Sequence, residues 1–208
     1  MSMLTPLTEL DAVNEMLMSI GQAPVSSLSV PGDVAIARSL LTPVVRYVQL
    51  YGFEFNTDED YTLTPDVDGL IHVPEGVLRL DPMDPRQRLT PRTHPTSGRC
   101  LWDLANRTWT MSAPVDCRIV WAYAFEDLPE SAKNYITVAA CRRFQAKMIG
   151  SRELDLYEEA DEQRAWNLLI RDERANRDTN SFRKSKSLQS ALNRTGRGYP
   201  WTGGEVTG

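Results

Sequence analysis

The residues best suited to chemistry in this chain are acidic, and their spacing decides what they can do. Asp58, Glu59 and Asp60 form a run that could draw a divalent cation. Adjacent side chains diverge, however, and the alternating ligands and central glycine of a calcium loop are missing, so the run reads as a solvated turn. Glu158 and Asp161 lie three residues apart on an expected helix, a spacing that invites comparison with a glycosidase acid–base pair. Their surroundings are charged and supply no apolar pocket to raise one pKa above the other. Two histidines, His72 and His94, are too few and too scattered for a zinc site. Cys100, Cys117 and Cys141 show no C-x-x-C spacing and read as reduced, buried apolar groups. The sequence carries no phosphate loop, nucleophile elbow, H-E-x-x-H or dinucleotide fingerprint. No catalytic, cofactor-binding or metal-ligating residue is therefore assigned, and the chain is not expected to be an enzyme.

Other residues have ready structural explanations. Trp102, Trp109 and Trp121 sit at strand-like positions, where cross-strand packing is commoner than base stacking. Asn106-Arg107-Thr108 and Asn193-Arg194-Thr195 match the glycosylation pattern. The first 20 residues hold three acidic groups and no Lys or Arg, so no secretory signal is expected, and these sequons reduce to turn chemistry. The longest apolar run, Ile119 to Phe125, has seven residues, far below the roughly 18 of a membrane span. A soluble chain without membrane anchoring is expected, assembled in a reducing cytoplasm.

Positioning elements follow from periodicity. Thr8 and Asp11 have the spacing of a capping box, and Leu10, Val13, Leu17 and Ile20 form an apolar stripe that Gly21 and Pro24 end. A second helix is predicted from Asp33, its expected cap, to Tyr51, with Ile36, Leu40, Val44, Tyr47, Val48 and Tyr51 inward. Pro43 inside it predicts a kink or break near Ser39, and Gly52 stops it. Short strands are predicted at 53–55, 61–63, 70–73, 77–81, 86–89, 100–103, 108–111 and 117–125, with 104–107 turning a hairpin. The last, most apolar strand is expected in the middle of a sheet. Pro129 opens a third helix to about Ile149, burying Ile136, Ala140, Phe144 and Met148, and Gly150 ends it. A fourth helix runs from Glu153 to about Arg177, burying Leu154, Tyr157, Ala165, Leu168 and Leu169. The expected fold class is α+β: a four-helix bundle of residues 1–52 and 127–178, an inserted antiparallel β lobe of residues 53–126, and a C-terminal tail.

That tail, residues 179–208, is basic and poor in periodicity. It carries net +4, leaving −9 for the residues before it. It either orders against a partner or remains disordered. Its candidate partner-binding residues are the charged Arg183, Lys184, Lys186, Arg194 and Arg197 and the apolar Phe182, Leu188, Leu192, Tyr199 and Trp201.

The order ELDAVN at Glu9–Asn14, SIG at Ser19–Gly21 and APVSSL at Ala23–Leu28 resembles the N-terminus of the tail tubular protein A family, the head-to-tail adaptors of short-tailed phages. The resemblance continues through GFEFN at Gly52, LTPD at Leu63 and Leu128-Pro129-Glu130, and covers Leu7 to Arg177. It implies a dodecameric ring at the head–tail junction of the virion, between the portal protein and the nozzle (tail tubular B-type) protein. It also implies a part in seating tail fibres and in lining the channel that DNA crosses transiently. Two features depart from the family: Pro43 in the second helix, and the end RGYPWTGGEVTG. Rival readings are the head-completion connector of long-tailed phages, a DNA-binding packaging accessory suggested by the basic tail, and a cell-wall hydrolase.

Overall fold

The computed structural model describes residues 5–150 and 152–184, with side chains described for all of these except 152–158 and 178–184. Helix α1 (Glu9–Ser19) begins at the expected capping box. The Thr8 hydroxyl accepts the Asp11 N–H at 3.2 Å, and the Asp11 carboxylate accepts the Thr8 N–H at 3.0 Å. Gly21 closes the helix at φ +78°, a conformation that L side chains rarely adopt. Asn14 then fixes the extended exit, donating to the Val25 carbonyl and accepting its N–H. The buried face centres on Ala12, Val13, Met16 and Leu17, while the expected Leu10 and Ile20 flank it half-buried.

Helix α2 (Asp33–Gln49) continues through Pro43, so of the expected kink or break near Ser39 the break does not occur. Both Pro43 and Ser39 are exposed, so the carbonyl that loses its partner four residues back faces solvent. Gly32 occupies the N-cap, and Asp33 lies in the first turn, where its charge suits the helix dipole. The seam is Val34, Ala37, Leu41, Val44, Val45 and Val48; Tyr47 and Tyr51 point outward instead of inward. Gly52, at φ +76°, ends the run, and a Cβ there would press within 3.2 Å of Arg79 and Val120.

The alternating Phe53-Glu54-Phe55 is not a strand but leads into a tight 3-10 turn, Glu54–Asn56. The turn wins because the Asn56 side chain accepts the Phe53 N–H at 2.9 Å and donates to the carbonyls of Gln49 and Trp121. Gln49 completes the junction, donating to the Tyr123 carbonyl and accepting the Tyr123 N–H at 2.7 Å. Both amides are wholly buried.

Strands β1 (Thr57–Leu63), β2 (Val77–Pro82) and β5 (Val115–Trp121) form an antiparallel sheet in the order β1-β5-β2. The apolar β5 is central, as its composition requires. β1 takes in Thr57–Asp60, expected as a turn, because it pairs with β5 and its side chains stay in solvent. Asp58 there accepts the Trp121 indole N–H at 2.8 Å. Strands β3 (Leu89–His94) and β4 (Gly98–Asp103) make a separate antiparallel hairpin. β4 thus pairs with β3, and the expected 100–103/108–111 hairpin reduces to one bridge, Asp103–Thr108, because Asp103 caps the turn at Ala105 and Asn106. Residues 86–88 are turn and coil before β3, and 70–73 contributes isolated bridges to Thr110 and Cys100. Leu63, Ile71, Val77, Leu101, Cys117 and Ile119 join both sheets in one apolar cluster.

Helix α3 (Glu130–Met148) follows Pro129 and packs against α1, α2 and α4. It buries Ile136, Ala140 and Phe144 as expected, whereas Met148 is exposed. Helix α4 (Arg152–Lys184) has 33 residues, about 50 Å at 1.5 Å each, and outlasts its expected end at Arg177. Ala165 and Leu169 are buried and Leu168 is exposed; the side chains of Leu154 and Tyr157 lie outside the description. Among the described residues the fold is α+β, with four α-helices and two small antiparallel sheets.

Two substitutions test these assignments. Thr8→Ala removes the cap of α1 and should cost about 1 kcal/mol in urea unfolding. Asn56→Leu strands three buried backbone groups and should cost more than about 2 kcal/mol; equal losses in the two variants would refute the junction's weight.

Candidate interaction surface

The outward turn of Tyr47 and Tyr51 borders a hollow of about 570 Å³ between α2, α3 and α4. Tyr47 lies in the last turn of α2 and Tyr51 just past its end, both off the buried seam, with 65% and 60% of their surfaces exposed. Trp166 of α4 forms the floor, its ring edge-on to Tyr51 at 5.4 Å and tilted against Tyr135 of α3 at 5.0 Å. Tyr51 also stacks on the buried Phe53 at 4.8 Å, so the hollow is braced by the start of the β lobe.

Charge borders this aromatic lining. Arg142 pairs with Glu162 at 2.9 Å and reaches Glu159 at 3.7 Å. The Tyr135 hydroxyl donates to Glu162 at 3.4 Å; burial, then the Glu162 charge, pushes that hydroxyl's pKa upward. The Arg143 guanidinium lies over the Tyr47 ring at 5.5 Å. An aromatic floor with a mixed-charge rim can hold a peptide through stacking and ion pairing. These residues were unassigned from sequence because Tyr47 and Tyr51 fit an apolar stripe, and only the position of α4 reveals them as a wall.

A second constellation resembles a catalytic triad. Asp66 contacts His72 Nε2 at 2.9 Å, and His72 Nδ1 faces the Cys100 sulfur at 3.6 Å. Cys100 is fully buried, and burial followed by the Asp66 charge raises its pKa, so the thiol keeps its proton. A substrate carbonyl cannot reach it. Asp66 also accepts the N–H groups of Leu70 and Asp68, which lowers its pKa and closes the loop on itself, while His72 ties that loop to Cys100 of β4. Cys100 and Cys117 are buried as expected and Cys141 is half-buried, and no disulfide joins them. Trp102, Trp109 and His94 pack on one another, with Arg92 over Trp102 at 5.5 Å.

The expected partner-binding residues fall at or beyond the end of the described residues. Phe182, Arg183 and Lys184 fall in the last turn of α4, with side chains outside the description. Lys186, Leu188, Leu192, Arg194, Arg197, Tyr199 and Trp201 lie outside the described residues. Of the carboxylates considered for catalysis, Asp161 pairs with Arg164 at 2.7 Å, and the Glu158 side chain is outside the description. Among the described residues no group of His, Cys, Asp and Glu has the arrangement of a metal site. No described helix is long and apolar enough to cross a membrane.

Glu173 anchors α4 to the lobe junction: almost fully buried, it accepts the Glu54 N–H at 2.6 Å. Burial raises its pKa above the ordinary 4.5, against the opposing pull of that hydrogen bond and of Arg177. A raised folded-state value means a stabilising contribution complete below pH 4.5 and lost as pH climbs through the folded pKa. Glu173→Gln should therefore gain stability relative to the parent chain as pH rises from about 4.5 toward neutral. A constant difference in urea midpoint across that range would refute this.

Comparisons with known proteins identify the family. A family model described as "Tail tubular protein" matches residues 10–179. The chain is similar to "Tail tubular protein A" of Klebsiella phage KP34, with 33% identity over 131 residues, covering 62% of this chain and 67% of that protein. The chain belongs to the tail tubular protein family, whose members are structural components of the phage virion tail.

Proposed function

We propose that this chain is the head-to-tail adaptor of a short-tailed phage. Twelve copies form a closed ring between portal and nozzle proteins at the head–tail junction. The ring helps seat the tail fibres and forms part of the channel through which DNA leaves. Family membership over residues 10–179 is the observation that carries this reading.

Physical features of the chain support it. A ring subunit must present two different flanks that meet head to tail and close on rotation. The helical part, residues 1–52 and 127–178, supplies such flanks, with α4 held to α3 along one side and charged elsewhere. The acidic surplus before residue 179 repels DNA phosphates, so a duplex passing the ring is not retained. Residues 53–126 form a lobe for contacts beyond the ring, and the basic residues 179–208 dock on an acidic surface of the portal or of a neighbouring subunit.

Electron microscopy of the purified chain mixed with portal particles tests this directly. A twelvefold ring seated on the portal is the expected result; portal particles that remain bare would overturn it. In gel-shift assays the chain should not retain duplex DNA at low salt. Retention that falls steeply with added salt would favour a DNA-binding packaging accessory instead.

A further inference from the structure

The aromatic hollow between α2, α3 and α4 has no assigned occupant, and the chain itself carries a segment of matching chemistry. We propose that in the unassembled subunit the segment Arg194–Trp201 (RTGRGYPW) folds back and docks in the hollow of its own chain. This goes beyond the adaptor reading, since it concerns the subunit before it meets any partner.

Three observations converge on this occupant. First, Tyr47, Tyr51 and Leu50 leave a contiguous apolar surface beside the hollow, of the kind that marks a binding site. Tyr199 and Trp201 offer flat rings to stack there, and Pro200 keeps the segment extended at low entropic cost.

Second, the charges complement one another. The Glu159 side chain is 61% exposed, with Arg142 at 3.7 Å, and retains acceptor capacity for Arg194 or Arg197. Arg143 already lies over Tyr47, so this wall accepts a guanidinium on a ring face. The wider attraction is between residues 179–208 at net +4, of which this segment carries +2, and a −9 body.

Third, the chain is long enough. From Lys184 back along α4 to Glu162 is about 33 Å at 1.5 Å per residue. The 15 residues from Lys184 to Tyr199 reach up to roughly 50 Å when extended. A tethered segment acts at millimolar effective concentration, which favours its own hollow over that of another copy.

Photo-cross-linking of the full chain tests the proposal. p-Benzoylphenylalanine replaces Trp201, and isotopically light and heavy chains are mixed before irradiation. The expected cross-links join residue 201 to peptides containing Tyr47–Tyr51 or Glu159–Trp166, within single chains. Tyr47→Ser, at an exposed position that leaves the helical circular dichroism unchanged, should cut their yield about fivefold, and Glu159→Lys should act in the same direction. Cross-links to other surfaces, links only between light and heavy chains, or a yield indifferent to both substitutions would overturn it. Failure here would leave ring formation on the portal untouched, so the two ideas fall separately.

Discussion

Two buried side-chain amides hold this molecule together where its two kinds of structure meet. Gln49 ends α2 and Asn56 ends the 3-10 turn, and between them they engage backbone groups of Phe53, Tyr123 and Trp121. Both are wholly buried, so each hydrogen bond is made in a medium where leaving it unmade costs the full desolvation penalty. The consequence is geometric. The end of α2, the start of β1 and the exit from β5 are fixed to one another, and two separate apolar clusters grow on either side. The helical cluster runs through Val13, Val48, Phe53, Ile136 and Phe144, and the β cluster through Ile71, Leu101 and Ile119. Glu173 then brings α4 to the same place by accepting the Glu54 N–H.

Much of the helical part was legible in the sequence because its signals are local. The capping box at Thr8, the glycine stops and Pro129 act within one turn, and each sits where its chemistry predicts. The β region was less legible because pairing is not local. Thr57–Asp60 has poor strand propensity and is a strand only because β5 lies beside it. Phe53-Glu54-Phe55 alternates correctly for a strand, yet the Asn56 side chain pulls the backbone into a turn. Leu101 and Asp103 pair with β3, whereas the nearest downstream apolar run suggested a hairpin with 108–111.

The candidate site was legible only in part, for a related reason. Tyr47 and Tyr51 continue a 3.6-residue apolar stripe, and composition alone cannot say that the stripe outruns the core. It takes Trp166, more than a hundred residues later, to turn them into one wall of a hollow. The Asp66–His72–Cys100 set carries the opposite lesson. Its distances suggest catalysis, while the burial of Cys100 and the direction of its pKa shift make it a fastening between a loop and β4.

The central claim is a position in an assembly, and a reconstruction of the intact virion by electron cryo-microscopy tests it most directly. The expected result is density for the four helices and two sheets as a closed ring between portal and nozzle, with α4 at the contacts between neighbouring copies. Virions in which that position is filled by another protein, or in which this chain is absent, would contradict it.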